Sequence, residues 1–488
     1  MQTKRLLHLI VFLALVCLSV SAAWAEIKLP ALVGSNMVLQ CDMPVPVWGW
    51  AEPGETVTVR FAGQSVEATA GADGRWQATL AKLKTGKPAP MVIEGSKSGK
   101  VVLKNVLVGE VWLCSGQSNM DMSTAGVNNA KAEIAAAKYP KIRLFKVNRE
   151  LADKPKDNCV GQWVPCSPKT VPGFSAVGYF FGRELQKDLN VPIGLIQSAW
   201  GGTPAESWTA MPALEAQSSL APLLARWEKQ VKKDKRALRS PHRPSSIFNA
   251  MIAPLVPYTI RGVIWYQGES NATRAYQYRT IFPTMIRNWR EIWGQPELPF
   301  GFVQIAPYQY NKRKNPRNVQ CCPELWEAQL LTLKSLPVMG MAVTTDIGNI
   351  NNIHPKNKQD VGKRLGLWAR ATVYGKKDLV YSGPIYRSMK IDGDTIRLTF
   401  DHVGGGLSTS DDKPLSHFTI AGKDQQFHPA QAKIDGDTIV VSSDQVKQPV
   451  AVRFGWHETA EPNLVNKEGL PASPFRTDSW KGVTEGNH

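Results

Sequence analysis

The chain has 488 residues, of which 43% are hydrophobic and 20% charged, a length that exceeds one ordinary core and implies two or three domains. Its formal charge of +17 would suit a polyanion, an acidic sugar or a negatively charged envelope surface. Yet no Lys/Arg block is interleaved with aromatic residues as a nucleic-acid groove would require, so nucleic acid is excluded as a partner.

Lys4 and Arg5 precede an apolar run from Leu6 to Val20 and a small-residue stretch ending Ala23-Trp24-Ala25, the pattern of a secretory signal peptide over residues 1–25. Cleavage there makes Glu26 the mature start, takes the formal charge from +17 to +15 by removing those two cations, and points to export, with the periplasm as destination. Cys17 does not make a lipoprotein, because Ala14-Leu15-Val16 is a poor match to the lipidation pattern. No later segment approaches the roughly 20 apolar residues of a membrane span. Of the six remaining cysteines, Cys159 and Cys166 share one loop-like stretch and could close a small disulfide ring, whereas the neighbours Cys321 and Cys322 rarely bridge each other. Cys41 and Cys114 complete the set, Cys114 reading as a buried thiol in an apolar strand, and no zinc-ligand spacing occurs.

Residues 26–104 alternate short β-rich runs (VPVWGWA, TVTVRFAG, SVEATA, RWQATL) with turns such as Glu52-Pro53-Gly54 and Ala72-Asp73-Gly74, which predicts a β-sandwich. Residues 105–374 have a different rhythm. Apolar strands (VGEVWLCS, IGLIQSAW, GVIWYQG, FGFVQIA, GMAVTTD) are separated or followed by helical patterns at 175–189, 246–255, 276–293, 325–336 and 357–374. Such alternation predicts an α/β domain, a parallel sheet with helices on both faces. Residues 375–488 return to β character, and the string IDGDTI occurs there twice, predicting two similar hairpins with turns at Asp-Gly.

In an open parallel sheet, ligands bind beyond the carboxyl ends of the strands. The first strand runs into GQSNM with Ser118 in the turn; the second ends in Ser198-Ala199-Trp200-Gly201-Gly202-Thr203; the third in Gln267-Gly268-Glu269-Ser270-Asn271; the last in Asp346, followed by His354. Four polar or glycine-rich turns on one sheet edge predict a site there.

The strings GQSNM, SAWGGTPAESW, WYQGESN and IHPKNKQDVGKRLG resemble, in order, the blocks of SGNH/GDSL-type hydrolases, specifically the sialate O-acetylesterase-like carbohydrate acetylesterases, and KEGLPASPFRTD resembles that group's closing segment. The resemblance implies a flavodoxin-like SGNH domain between N- and C-terminal β-sandwich-like regions. It implies a serine esterase acting on an O-acetylated sugar or glycan through an acyl-enzyme, with no metal or organic cofactor. Ser118 matches the nucleophile and His354 the general base. Backbone N–H groups of Ser118 and of Gly201 or Gly202 would bind the oxyanion, with the side-chain amide of Gln267 or, failing that, Asn271 completing the hole.

The third member of a triad is open. Generic relatives carry an aspartate three residues before the histidine, where this chain has Asn351 and then Asn352. Either Asp346 folds back toward His354, or a backbone carbonyl near Asn351 or Asn352 orients the ring in a serine–histidine dyad. Trp200, Trp208, Trp265 and Tyr266 are candidates to stack on a sugar, with core packing as the commoner fate of such residues, and Arg261 and Lys356 are candidates to pair with a sialate carboxylate. Two rival readings remain: an acetylxylan or other polysaccharide acetylesterase, which shares the ester chemistry, and a non-catalytic glycan-binding protein built on the β regions. Nothing in the sequence speaks to oligomeric state.

Overall fold

The computed structural model describes residues 26–488. The signal-peptide reading therefore lies outside the described residues. Among the described residues no helix is long and apolar enough to cross a membrane.

A central sheet organises the molecule. Its strands are β1 (Gly99–Gly116), β2 (Tyr139–Lys146), β3 (Trp163–Cys166), β4 (Ile193–Ala199), β5 (Gly262–Tyr266), β6 (Phe300–Val303) and β7 (Met339–Ala342), in the order β7-β6-β5-β1-β4-β2-β3. Every neighbouring pair is parallel except β2 with β3. The five apolar runs recognised in the sequence are β1, β4, β5, β6 and β7; all seven residues of β4 are buried, as a strand covered on both faces requires. β2 escapes sequence reading because Pro140, Lys141, Arg143 and Lys146 dilute its apolar character; it lies between β4 and the short edge strand β3, and residues 139–141 precede its ladder with β4.

The principal helices are α1 (Ser118–Asp121), α2 (Ala176–Leu189), α3 (Ala275–Ile292), α4 (Cys321–Ser335) and α5 (Lys358–Trp368). Strand register puts Trp112 beside Gly262 and Ser115 beside Trp265, so the two tryptophans point to opposite faces. Trp112 meets Phe181 of α2 and Trp368 of α5 edge-on, while Trp265 meets Phe282 and Trp289 of α3. The helix expected over 246–255 is a π turn at Phe248–Ile252 followed by a 3-10 turn at Ala253–Leu255. Pro254 lacks an N–H, and its ring crowds the carbonyl four residues back, which disfavours a regular α-helix across that point.

The flanks are β-rich. On the N-terminal side, Thr56–Phe61 pairs with Gln64–Thr69 and Ala89–Gly95, and the last of these pairs antiparallel with the first half of β1. β1 then continues unbroken across position 104, so this flank joins the central sheet through a shared strand and not through a linker. In the C-terminal region the two IDGDTI hairpins lie side by side in one four-stranded antiparallel sheet, joined through Thr395–Asp401 and Thr438–Ser442. Their two-residue turns begin at Gly393 (φ +61°) and Gly436 (φ +58°), one position later than Asp-Gly would place them, because glycine is the residue that tolerates positive φ at the first central position of a II′ turn.

Candidate active site

β1 delivers Ser118 to the carboxyl edge of the sheet as the first residue of α1. A residue at that position has no intrahelical acceptor for its N–H, which is therefore available to a ligand. The loop between β7 and α5 carries His354, whose backbone N–H donates to Asn352 Oδ1 at 2.9 Å. The two side chains meet, His354 Nε2 lying 2.8 Å from Ser118 Oγ. Both residues are half-buried, so the pair is open to a substrate.

Asp346 is placed elsewhere. Arg364 of α5 takes both of its carboxylate oxygens, at 2.7 and 2.5 Å, and also donates to Val343 O. The aspartate thus braces the β7–α5 loop against the helix and does not reach His354. Among the described residues Ser118 Oγ is the one hydrogen-bond partner of the His354 ring, so no backbone carbonyl near Asn351 or Asn352 orients it either.

Of the expected oxyanion donors, the backbone ones are near the serine and the amides are not free. A Cβ on Gly201 would lie 3.2 Å from Ser118 Cβ, so that turn approaches Ser118 closely enough that a side chain there would crowd it. Gly202, next to it, has φ +78°. Gln267 is fully buried: Nε2 donates to Thr203 O at 3.2 Å and Asn271 Oδ1 at 2.6 Å, and Oε1 accepts from Tyr278 at 2.9 Å. Asn271 is equally engaged, accepting from Ala205 N at 3.0 Å and donating to Glu206 Oε2 at 2.9 Å. Both amides stitch the strand-end turns together beneath the site, which corrects their assignment as oxyanion donors. Glu206 anchors that stitching: burial works against its charge, but Arg274 and the Asn271 amide outweigh it and hold its pKa down.

Trp208, Trp265 and Tyr266 are core residues, each 1% exposed or less, and only Trp200 remains partly open, with the Arg149 guanidinium 5.8 Å over its ring. Arg261 is at the opposite, amino end of β5, paired with Glu110 at 2.6 Å, and has no access to the site. Lys356 is exposed, two residues after His354, and its backbone O accepts from Asn128. All six cysteines from Cys41 to Cys322 are free thiols, so Cys159 and Cys166 do not close a ring.

Sequence reading passed over the charges around the Ser118–His354 pair. Lys358, in the first turn of α5, is fully buried 4.9 Å from the Tyr266 ring centroid, and Glu269, in the turn after β5, is buried as well. Burial pulls the Lys358 ammonium down to about 7, and burial pushes the Glu269 carboxyl up. Burial also lowers the pKa of His354, and the cations Lys358 and Arg313 push in the same direction. Lys358 stands in the string IHPKNKQDVGKRLG and Glu269 in WYQGESN, and the signal available was the presence of ionisable side chains among apolar ones. No three His, Cys, Asp or Glu side chains cluster as metal ligands among the described residues.

A serine within hydrogen-bond reach of a histidine, beside a glycine turn at a sheet edge, can perform acyl transfer. Residues 108–366 match the family model described as carbohydrate esterase, sialic acid-specific acetylesterase. The chain belongs to this esterase family. Sialate O-acetylesterase from Pongo abelii is 32% identical over 92% of both chains, and the Homo sapiens protein of that name is 33% identical over 75% of this chain and 74% of its own. A carbohydrate acetylesterase from Xanthomonas citri, known from its crystal structure, is 40% identical, with a TM-score of 0.86 over 93% of this chain and all of its own. This esterase is accordingly a carboxylic ester hydrolase with a mixed α/β fold.

Proposed function

We propose that this chain is a serine esterase that removes O-acetyl groups from sialic acid or a related glycan through a covalent acetyl-enzyme. The observation that carries the reading is the 2.8 Å contact between Ser118 Oγ and His354 Nε2. Ser118 Oγ attacks the acetyl carbonyl carbon as its proton passes to His354 Nε2. The negative charge that develops on the carbonyl oxygen is met by backbone N–H groups at Ser118 and the Gly201-Gly202 turn. His354 then returns the proton to the departing sugar oxygen, leaving the acetyl group on Ser118. Water, deprotonated by His354, attacks that ester; acetate leaves and the serine recovers its proton. The catalytic pair is a dyad, since Asp346 is bound to Arg364.

We further infer a flavodoxin-like SGNH domain over 105–374, flanked by the β regions 26–104 and 375–488. Leaving aside β2 and the edge strand β3, the order of the remaining strands, with β4 and β5 on either side of β1, supports this. The sequence of residues 1–25 supports export to the periplasm.

Three measurements test the reading. Ser118→Ala should lower turnover of an aryl acetate by at least about a thousandfold with the fold intact, and an organophosphonate should label Ser118 in the wild-type protein. Activity within tenfold of wild type, or labelling of a different serine, would remove Ser118 from the mechanism. Acetate release from O-acetylated sialosides, set beside acetylxylan, decides the substrate: faster release from acetylxylan would replace sialic acid with a plant polysaccharide.

A further inference from the structure

Asn119 follows the proposed nucleophile by one residue, and its side chain, 1% exposed, makes three hydrogen bonds. Nδ2 donates to Glu269 Oε1 at 2.6 Å and to the backbone O of Ile353 at 3.0 Å, while Oδ1 accepts from Lys358 Nζ at 2.6 Å. Ile353 precedes His354. One amide therefore links the backbone beside Ser118 to the backbone beside His354, across segments 234 residues apart. We propose that Asn119 is the positioning residue of the Ser118–His354 dyad, with Lys358 and Glu269 fixing the direction in which its amide faces.

The partners allow one orientation. The backbone carbonyl of Ile353 accepts and cannot donate whatever the charge nearby, so the NH2 of Asn119 must face it, and an ammonium at Lys358 with a carboxylate at Glu269 favours the same orientation. Rotating the Asn119 amide by half a turn would set its oxygen against Ile353 O and break that bond at any pH, and would break the bonds to Lys358 and Glu269 as well while those two are ionised. Such a lock carries a cost, because taking an ammonium and a carboxylate out of water is unfavourable. Lys358 and Glu269 are 0% and 4% exposed and communicate through the amide between them; Glu269 Oε2 has no hydrogen-bond partner. Apolar side chains would fill this space at lower cost, which argues that the polar arrangement serves the site.

The need for it follows from the dyad. With Asp346 held by Arg364, no carboxylate fixes the imidazole, so the distance between base and nucleophile depends on how the two loops are tied. A misplacement of 1 Å can cost about a hundredfold in rate.

This inference rests on Ser118 being the nucleophile, and the experiment separates the two. Wild type, Asn119→Ala, Glu269→Gln, Glu269→Leu and Lys358→Met are compared for the rate and site of organophosphonate labelling, and for kcat and KM with an aryl acetate. Asn119→Ala should slow both labelling of Ser118 and kcat by about a hundredfold, with KM within about threefold of wild type. Glu269→Gln keeps an acceptor for Asn119 Nδ2 and should stay within about tenfold of wild type, while Glu269→Leu should fall as far as Asn119→Ala. In Lys358→Met the loss in kcat should come with an acid limb of kcat/KM displaced to higher pH. The charges bearing on His354 are Lys358 and Arg313, and removing one relieves the push on the ring. Labelling of Ser118 in Asn119→Ala at the wild-type rate would overturn the inference, as would equal losses in the two Glu269 variants. If Asn119→Ala does not fold, the difference between Glu269→Gln and Glu269→Leu decides the matter. Labelling of wild type at another serine would overturn the nucleophile assignment instead.

Discussion

Asp346 and Arg364 form a two-pronged pair at 2.7 and 2.5 Å that ties the end of β7 to α5, and the pair leaves His354 without an anionic partner. In a serine triad the aspartate stabilises the imidazolium, and its neutralisation costs about four orders of magnitude in kcat. Here Asp346→Asn should reduce kcat by less than about tenfold, because the group it alters holds a loop and not the base. It should lower Tm by several degrees, since Arg364, 9% exposed, keeps its charge and loses its counter-ion. A loss above about a thousandfold in a folded Asp346→Asn protein would restore a triad.

The charge distribution sets the pH profile. On the proposed route His354 must be neutral to accept the Ser118 proton, and its pKa is lowered by burial and then by Lys358 and Arg313. A lowered pKa keeps the base neutral further into acid. The acid limb of kcat/KM should therefore fall below the ordinary histidine value of about 6.5. Activity is retained as pH drops through 6.5 and is lost only through the lowered value. Arg313, exposed on its loop, can be removed at little structural risk, and Arg313→Gln should move the limb upward. A limb at or above the ordinary value in wild type would contradict this account.

Turnover should be indifferent to chelators. The proposed route uses a serine, a histidine and backbone donors, and no three His, Cys, Asp or Glu side chains cluster as metal ligands among the described residues. Loss of aryl-acetate turnover in EDTA, restored by zinc, would bring a metal into the reaction.

How far the sequence could be read depended on which property a residue expressed. Strands β4 and β5 were legible because burial on both faces leaves near-continuous apolar runs, and the turns after them were legible because strand ends in a parallel sheet share an edge. β2 was not, since Pro140, Lys141, Arg143 and Lys146 interrupt its apolar run, Pro140 and Lys141 lying ahead of its ladder with β4. Polar residues in those turns were harder still. Gln267 and Asn271 sit where an oxyanion donor is expected, yet an amide reads the same whether it faces a ligand or, as here, knits loops together underneath. Lys358 looked like one more surface cation in a chain with 58 Lys and Arg, and burial, the property that sets it apart, is invisible before the fold is known.

Gly201 and Gly202 provide a test of the oxyanion turn in which two adjacent glycines should respond differently. Gly202 has φ +78° and open space where a Cβ would go, so Gly202→Ala meets backbone strain of about 1–2 kcal/mol without touching the nucleophile. Gly201 is not held at positive φ, but a Cβ there would lie 3.2 Å from Ser118 Cβ and 3.6 Å from its Cα. Either the turn or the serine must then move. Gly202→Ala should thus lower Tm with kcat within about tenfold of wild type, whereas Gly201→Ala should keep Tm nearly unchanged and cut kcat by about ten- to a hundredfold. KM for an aryl acetate should change little in either variant, since the displaced contact is to the reacting centre and not to the leaving group. If Gly201→Ala keeps wild-type kcat, the turn after β4 is merely adjacent to Ser118, and the oxyanion donors must be sought at Ser118 and Asn119 at the start of α1.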